Sequence, residues 1–76
     1  MQSLRRVNPK KLLLSKWTAV KPQNKEKHFI VIKLIEPALP NIKIEQIELQ
    51  AVYSNRAFIM PWRDLTEVDQ WLQGWK

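Results

Sequence analysis

The segment at residues 28–35, "HFIVIKLI", constrains the fold of this chain more than any other stretch. Only His28 and Lys33 interrupt its apolar side chains, and half of its residues are β-branched. A run of this length and composition is typical of a strand buried in a sheet rather than of a helix. The chain therefore has to build a β-sheet around this segment.

The core around that sheet must be small, because 76 residues make one domain that buries only part of its surface. The chain contains no cysteine, so neither a disulfide nor a thiolate metal site contributes to stability. Large aromatic side chains have to do so, and each buries roughly 150–250 Å². We expect Trp17, Trp62 and Trp71 in the core, and Trp75, near the C-terminus, to be partly exposed.

Four strands are predicted, at residues 16–20, 28–35, 42–53 and 56–62. The third is ambiguous, because the spacing of Ile44, Ile47 and Ala51 also fits a helix. We prefer a strand with a bulge near Glu45 and Gln46, because the alternation of apolar residues shifts by one position between Ile44 and Ile47. The polar residues 21–27 are interpreted as a loop and "EPALPN", residues 36–41, as a connection. "YSNRA" is predicted to be a tight turn with Asn55 at positive φ.

Helical structure is predicted at both ends of the chain. Asn8 and Pro9 are typical of a helix start, which indicates a short turn ending near Ser15. Asp64 and Glu67 form a capping-box pattern and predict a C-terminal helix. Its apolar face would carry Leu65, Val68 and Leu72, and Gly74 would form its C-cap.

Together these elements predict a mostly β (α+β) fold, a small antiparallel four-stranded SH3-like or half-open barrel with the C-terminal helix over one end. Residues 1–7 are expected to form a mobile basic arm, and residues 8–76 a single tryptophan-rich domain.

The positive charge of the chain lies in its first third. The net charge is +6, and residues 1–28 contain eight basic residues against Glu26 alone. This asymmetry points to nucleic acid, an anionic membrane surface or an acidic protein as the partner. No apolar run approaches the ~20 residues of a membrane span, and the run at residues 12–14 is too short for a signal peptide. We therefore expect a cytoplasmic protein.

Residues that could carry catalysis are scarce in this sequence. The single histidine, His28, lacks an evident acidic partner to orient it as a general base, and a local pairing with Glu26 or a backbone carbonyl explains it better. Asp64, Glu67 and Asp69 suit the start of a helix better than a cation site. We expect no enzyme, no cofactor and no metal site, and keep a hydrolase that uses His28 only as a formal alternative.

Several motifs resemble a known family, namely "NPKKLLLSKWTAVKPQNKEKHF", "PWRDL" and "WLQGW". They are similar to the small tryptophan-rich conserved hypothetical proteins of bacteria, a domain of unknown function, from Asn8 to Lys76. The "EPALPN" connection and the spacing of the middle strands depart from that pattern. The resemblance implies a freestanding bacterial domain and transfers no activity.

We expect a small non-enzymatic module that binds RNA or a ribonucleoprotein and recognises the backbone or the structure of the nucleic acid. Trp17 and Phe29 would anchor two strands so that the lysines of the loop between them face one way. The alternative is a protein-interaction or assembly factor that docks on an acidic partner, and the oligomeric state is left open. The residues expected to bind are Lys10, Lys11, Lys16, Lys21, Lys25, Lys27, Arg63 and, as a stacking platform, Trp75.

Overall fold

The computed structural model of the chain describes residues 5–39 and 42–76. Its strands form one antiparallel sheet in the order β4-β3-β2-β1-β5. The strands are β1 (Lys16–Gln23), β2 (Glu26–Ile35), β3 (Gln46–Ala51), β4 (Ala57–Pro61) and β5 (Trp71–Gln73), and two 3-10 turns are η1 (Pro9–Lys11) and η2 (Trp62–Thr66). The mostly β class is confirmed, but the sheet is an open one with five strands, not a four-stranded barrel.

The apolar run at residues 28–35 lies in β2, the middle strand of the sheet, as its composition predicts. One residue, Ile32, bulges out of the pairing with β3, because Val31 pairs with Leu49 and Lys33 with Glu48. Without this bulge the alternation of the strand would turn Lys33 into the core. The bulge predicted near Glu45 and Gln46 is therefore in the wrong position: the observed bulge lies in β2, and β3 pairs with β4 in unbroken register.

The predicted loop at residues 21–27 is instead the end of a β-hairpin. β1 extends to Gln23, β2 begins at Glu26, and only Asn24 and Lys25 lie between them, at φ 55° and 62°. Positive φ at both central residues is the mark of a type I′ turn, whose twist matches that of the paired strands. Apart from Glu26, which is buried, the polar side chains here remain exposed, which is why their composition resembled that of a loop.

The predicted C-terminal helix is wrong. Leu65 lies in the short turn η2, Glu67 has extended backbone angles, and the chain then forms β5 along the free edge of β1. A helix of about ten residues is marginal in water unless packing supports it. Strand pairing satisfies the backbone groups of β1 and places Trp71 edge-on against Phe29, with 5.2 Å between ring centres.

The core lies on one face of the sheet, which we call the inner face. Its fully buried side chains include Trp17, Val31, Ile47 and Leu49. Leu12, from the segment after η1, and Leu65, from η2, cover this face. The Cα atoms span 37 × 33 × 16 Å, and the short third dimension reflects a single sheet with a thin cover.

Arg5 fastens the chain before η1 to η2 and β5. Its guanidinium donates to the carbonyl oxygens of Leu65 at 2.7 Å and Trp71 at 2.5 Å, and lies 5.3 Å from the ring centre of Trp17. Partial burial lowers the pKa of Arg5 below its usual value. Of the arm predicted at residues 1–7, residues 1–4 lie outside the described residues.

Neither helical turn in the described part of the chain has the length or the apolar character of a membrane-spanning helix.

We predict that Lys25→Gly stabilises the protein by roughly 0.5–1 kcal/mol, because glycine adopts positive φ without the strain of a Cβ atom. Urea unfolding followed by tryptophan fluorescence measures the change. Lys27→Gly is the matched control within β2 and should lower the free energy of unfolding. Equal effects of the two substitutions would contradict the assigned turn.

We predict that Arg5→Ala lowers the free energy of unfolding by about 1–3 kcal/mol, because two charge-assisted hydrogen bonds to backbone carbonyls are lost. The neighbouring Arg6 is exposed, and Arg6→Ala should stay within about 0.5 kcal/mol of wild type. Chemical denaturation of both variants gives the comparison. Indistinguishable stabilities would show that Arg5 does not fasten the cover.

Candidate functional site

The C-terminal residues fold across the outer face of β1, the face opposite the core. Gly74, at φ 85°, donates its backbone N–H to the carbonyl of Lys16 at 2.7 Å. The hydroxyl of Thr18 donates to the Gly74 carbonyl and accepts from the N–H of Lys76, at 2.7 and 2.9 Å. No atom lies near the position of a Cβ on Gly74, so backbone angle rather than space favours glycine there.

This folded end places Trp75 beside Lys16 and His28, and we call these three residues the Trp75 platform. The indole N–H of Trp75 donates to the carbonyl of Phe29 at 2.9 Å, which fixes the ring while 45% of the residue stays exposed. The ammonium of Lys16 lies 4.7 Å from the ring centre, and the His28 ring lies 6.2 Å away. An exposed, oriented aromatic ring with a cation beside it is suited to bind a flat anionic ligand.

His28 also contacts the chain end, because its Nε2 lies 3.1 Å from the carbonyl oxygen of Lys76. A backbone carbonyl is therefore its hydrogen-bond partner, although it comes from the far end of the sequence.

A second basic surface surrounds Trp62. A cavity of about 180 Å³, which we call the Trp62 pocket, opens between η1, the chain before β3 and η2. It is lined by Pro9, Lys10, Lys43, Ile44, Trp62 and Arg63.

Two interactions hold the Trp62 pocket in shape. The indole N–H of Trp62 donates to the carbonyl of Ile44 at 2.8 Å. The guanidinium of Arg63 lies 4.9 Å from the centre of the Trp62 ring and forms an ion pair with Glu45 at 2.5 Å. The pocket therefore has an apolar, aromatic interior and a charged rim.

The β1–β2 hairpin ends beside a third feature, a cleft of about 200 Å³ between Lys21, Trp71 and Arg56. Glu26 is buried at its base and accepts from Arg56 through Nε at 3.1–3.2 Å and Nη2 at 2.7 Å. Ser54 donates its hydroxyl to the same carboxylate. The hydrogen bonds from Arg56, and then that from Ser54, lower the pKa of Glu26 below its usual value.

The predicted binding residues occupy four places. Lys16 and Trp75 meet in the platform, and Lys10 and Arg63 meet at the Trp62 pocket. Lys21, Lys25 and Lys27 belong to the hairpin, and Lys11 is exposed in η1. The two ion pairs within residues 5–39 and 42–76 involve arginines, so neither takes a lysine from the predicted set.

Sequence reasoning missed Lys43 and the role of Trp62 in lining a pocket. Trp62 was expected in the core, and it does pack partly against it while its ring also lines the cavity. The dipeptide "WR" next to the edge of a strand was the only available signal. In the same described ranges, no group of three or more His, Asp or Glu side chains is placed to share a metal ion.

The fold and these surfaces define a small tryptophan-rich domain built on an open antiparallel sheet. The chain belongs to the family of tryptophan-rich proteins DUF2389, whose family model matches residues 15–76, so the resemblance seen in the sequence is confirmed over these residues. The match includes all four tryptophans and Lys43. Neither a curated protein nor a solved structure matches the chain at a significant level.

We predict that Glu26→Gln destabilises the protein at neutral pH and that the difference from wild type narrows in acid. A lowered carboxyl pKa contributes stability above the usual value of about 4.5, and this contribution is lost as the pH falls through the lowered pKa. Urea midpoints of both proteins across the acid range test this. Exposed Glu36 is the control, and Glu36→Gln should have the same urea midpoint as wild type across this pH range. A difference in midpoint between Glu26→Gln and wild type that does not change with pH would contradict the role of the Glu26 charge.

Proposed function

We propose that the protein is a non-enzymatic module that binds RNA through the phosphate backbone, with Trp75 stacking on a base. The observation that carries this proposal is the Trp75 platform, where a fixed, partly exposed indole ring lies 4.7 Å from the Lys16 ammonium. Base–aromatic stacking tolerates every base, and a neighbouring lysine supplies a phosphate contact.

The distribution of charge supports the same proposal. Glu26, the only acidic residue among the first 28, is buried and paired with Arg56. Its negative charge therefore does little to offset the exposed lysines of the hairpin. Lysines supply charge without the bidentate geometry of arginine, which suits contacts to the phosphate backbone more than the reading of base edges.

The geometry of Trp75 also reduces the cost of binding. Its indole N–H is already bonded to a strand carbonyl, so a stacking base does not have to immobilise a freely rotating side chain. The Lys16 ammonium lies over the ring face, so we expect a stacking base to displace it toward the adjoining phosphate.

A second candidate function is docking on an acidic protein. It is favoured by apolar side chains on the outer surface, since Ile59 in the edge strand β4 is 56% exposed and Tyr53 in the turn before it is 67% exposed. Exposed aromatic residues are enriched at protein interfaces. Such a partner would remain bound after nuclease treatment.

We predict that Trp75→Ala weakens the binding of a fluorescein-labelled single-stranded RNA about tenfold, as expected for the loss of one base stack of ~1–3 kcal/mol. Fluorescence anisotropy at several salt concentrations measures the affinity. Lys16→Gln should reduce the slope of log K against log salt by roughly 0.7, the value for one phosphate contact to a single strand.

Tyr53→Ala is the matched control, because Tyr53 is a more exposed aromatic residue outside the platform. It should bind RNA as wild type does, and Trp75→Phe should retain most of the affinity. Wild-type protein that fails to bind RNA even at low salt overturns the proposal. Equal RNA affinity of the Trp75→Ala and Tyr53→Ala variants would show that Trp75 does not stack on the RNA.

A further inference from the structure

We propose that the Trp62 pocket is a site for one nucleotide unit, in which the base enters the apolar interior and the phosphate lies among the cations of the rim. This inference rests on the proposed function and assigns to the same RNA a second contact, made by other elements of the fold. The platform lies on the outer face, whereas the pocket lies where η1, the chain before β3 and η2 converge.

The volume and the lining residues of the pocket indicate what kind of chemical group it can bind. Its volume of about 180 Å³ is below the roughly 300–1,000 Å³ of sites that enclose a whole small molecule. It therefore holds one ring system of a larger ligand. Pro9, Ile44 and Trp62 offer it apolar and aromatic surface, which suits the faces of a planar base.

The charge of the pocket rim favours a phosphate group as its ligand. Lys10, Lys43 and Arg63 bring three positive charges to it, and Glu45 neutralises part of that charge through its ion pair with Arg63. The remaining excess of about two positive charges matches a phosphate group better than a single carboxylate. The guanidinium of Arg63, which lies over the Trp62 ring, adds a flat cation on which a base can also stack.

The walls of the pocket are formed without a ligand. Trp62 is held by its indole hydrogen bond to Ile44, and its backbone N–H donates to the carbonyl of Glu45 at 3.2 Å. On the other side, the Asn8 side chain accepts from the backbone N–H of Lys10 at 3.0 Å. A ligand therefore meets an arranged surface, which lowers the ordering cost of a weak, single-nucleotide contact.

The experiment follows the indole N–H resonances of the full-length ¹⁵N-labelled protein by NMR. Trp62→Phe identifies the Trp62 signal by its disappearance. The probes are adenosine 5′-monophosphate, adenosine without phosphate, inorganic phosphate without a base, and N-acetylphenylalanine as an apolar group with a carboxylate. We expect adenosine 5′-monophosphate to shift the Trp62 signal at several-fold lower concentration than each of the other three.

Charge variants on the rim sharpen the test, since they change exposed side chains and leave the core intact. Lys43→Gln should raise the concentration of adenosine 5′-monophosphate at half-saturation by roughly two- to fivefold, the effect of one partly screened charge. Glu45→Gln should lower it by a similar factor, because the rim becomes more positive and Arg63 is released. Lys33→Gln, the same change on the outer face, should leave it unaltered.

Three results overturn the assignment of the pocket. The first is a Trp62 signal that adenosine 5′-monophosphate leaves unchanged. The second is tighter binding of N-acetylphenylalanine than of adenosine 5′-monophosphate, which would indicate that the pocket accepts a peptide group. The third is weaker binding of adenosine 5′-monophosphate after Glu45→Gln. RNA binding that depends on Trp75 without any response at Trp62 leaves the proposed function standing and rejects the pocket. A response at Trp62 that follows the charge variants, in a protein that binds no RNA, supports a nucleotide site and rejects the proposed function.

Discussion

The structure depends on covering one apolar face of an open sheet with very few residues. Trp17 is fully buried in that face, and its indole N–H donates to the Ser15 hydroxyl, which in turn donates to the Leu12 carbonyl at 2.5 Å. Leu12 and Leu65 then close over the core, and Arg5 bonds to the segments that carry Leu65 and Trp71. A cover made of turns rather than helices has few internal hydrogen bonds, so these cross-links matter for its position.

The same arrangement explains where the candidate surfaces lie. The inner face is occupied by the core, and the two surfaces proposed to bind therefore lie outside it, one on the outer face over β1 and β2 and the other beside the end of β4. Trp75 is fixed on the outer face by a strand carbonyl, and Trp62 is fixed at the end of β4 by the carbonyl of Ile44. Each indole N–H is bonded to a backbone carbonyl while part of the ring remains exposed, which suits the amphipathic character of tryptophan.

Much of the sheet could be predicted from local patterns. The run at residues 28–35 is a central strand, Trp17 is fully buried, and Asn55 has φ 61° in the turn before β4. The failed prediction of a C-terminal helix has a clear cause, namely pairing between segments distant in sequence. The pattern of Asp64 and Glu67 favours a helix locally, but the free edge of β1 offers residues 71–73 a ladder of hydrogen bonds and a contact between Trp71 and Phe29.

The sequence by itself determined the β class, the central strand, the uneven charge and the family, because these follow from composition, short-range periodicity and motifs. Only the tertiary structure decided that the lysines are divided among a platform, a pocket and a hairpin. It also brought Lys43 to Lys10 and Arg63, and Lys16 to Trp75, across the fold. The physical reason is that register, bulges and edge pairing set which side chains become neighbours, and these depend on contacts between distant segments.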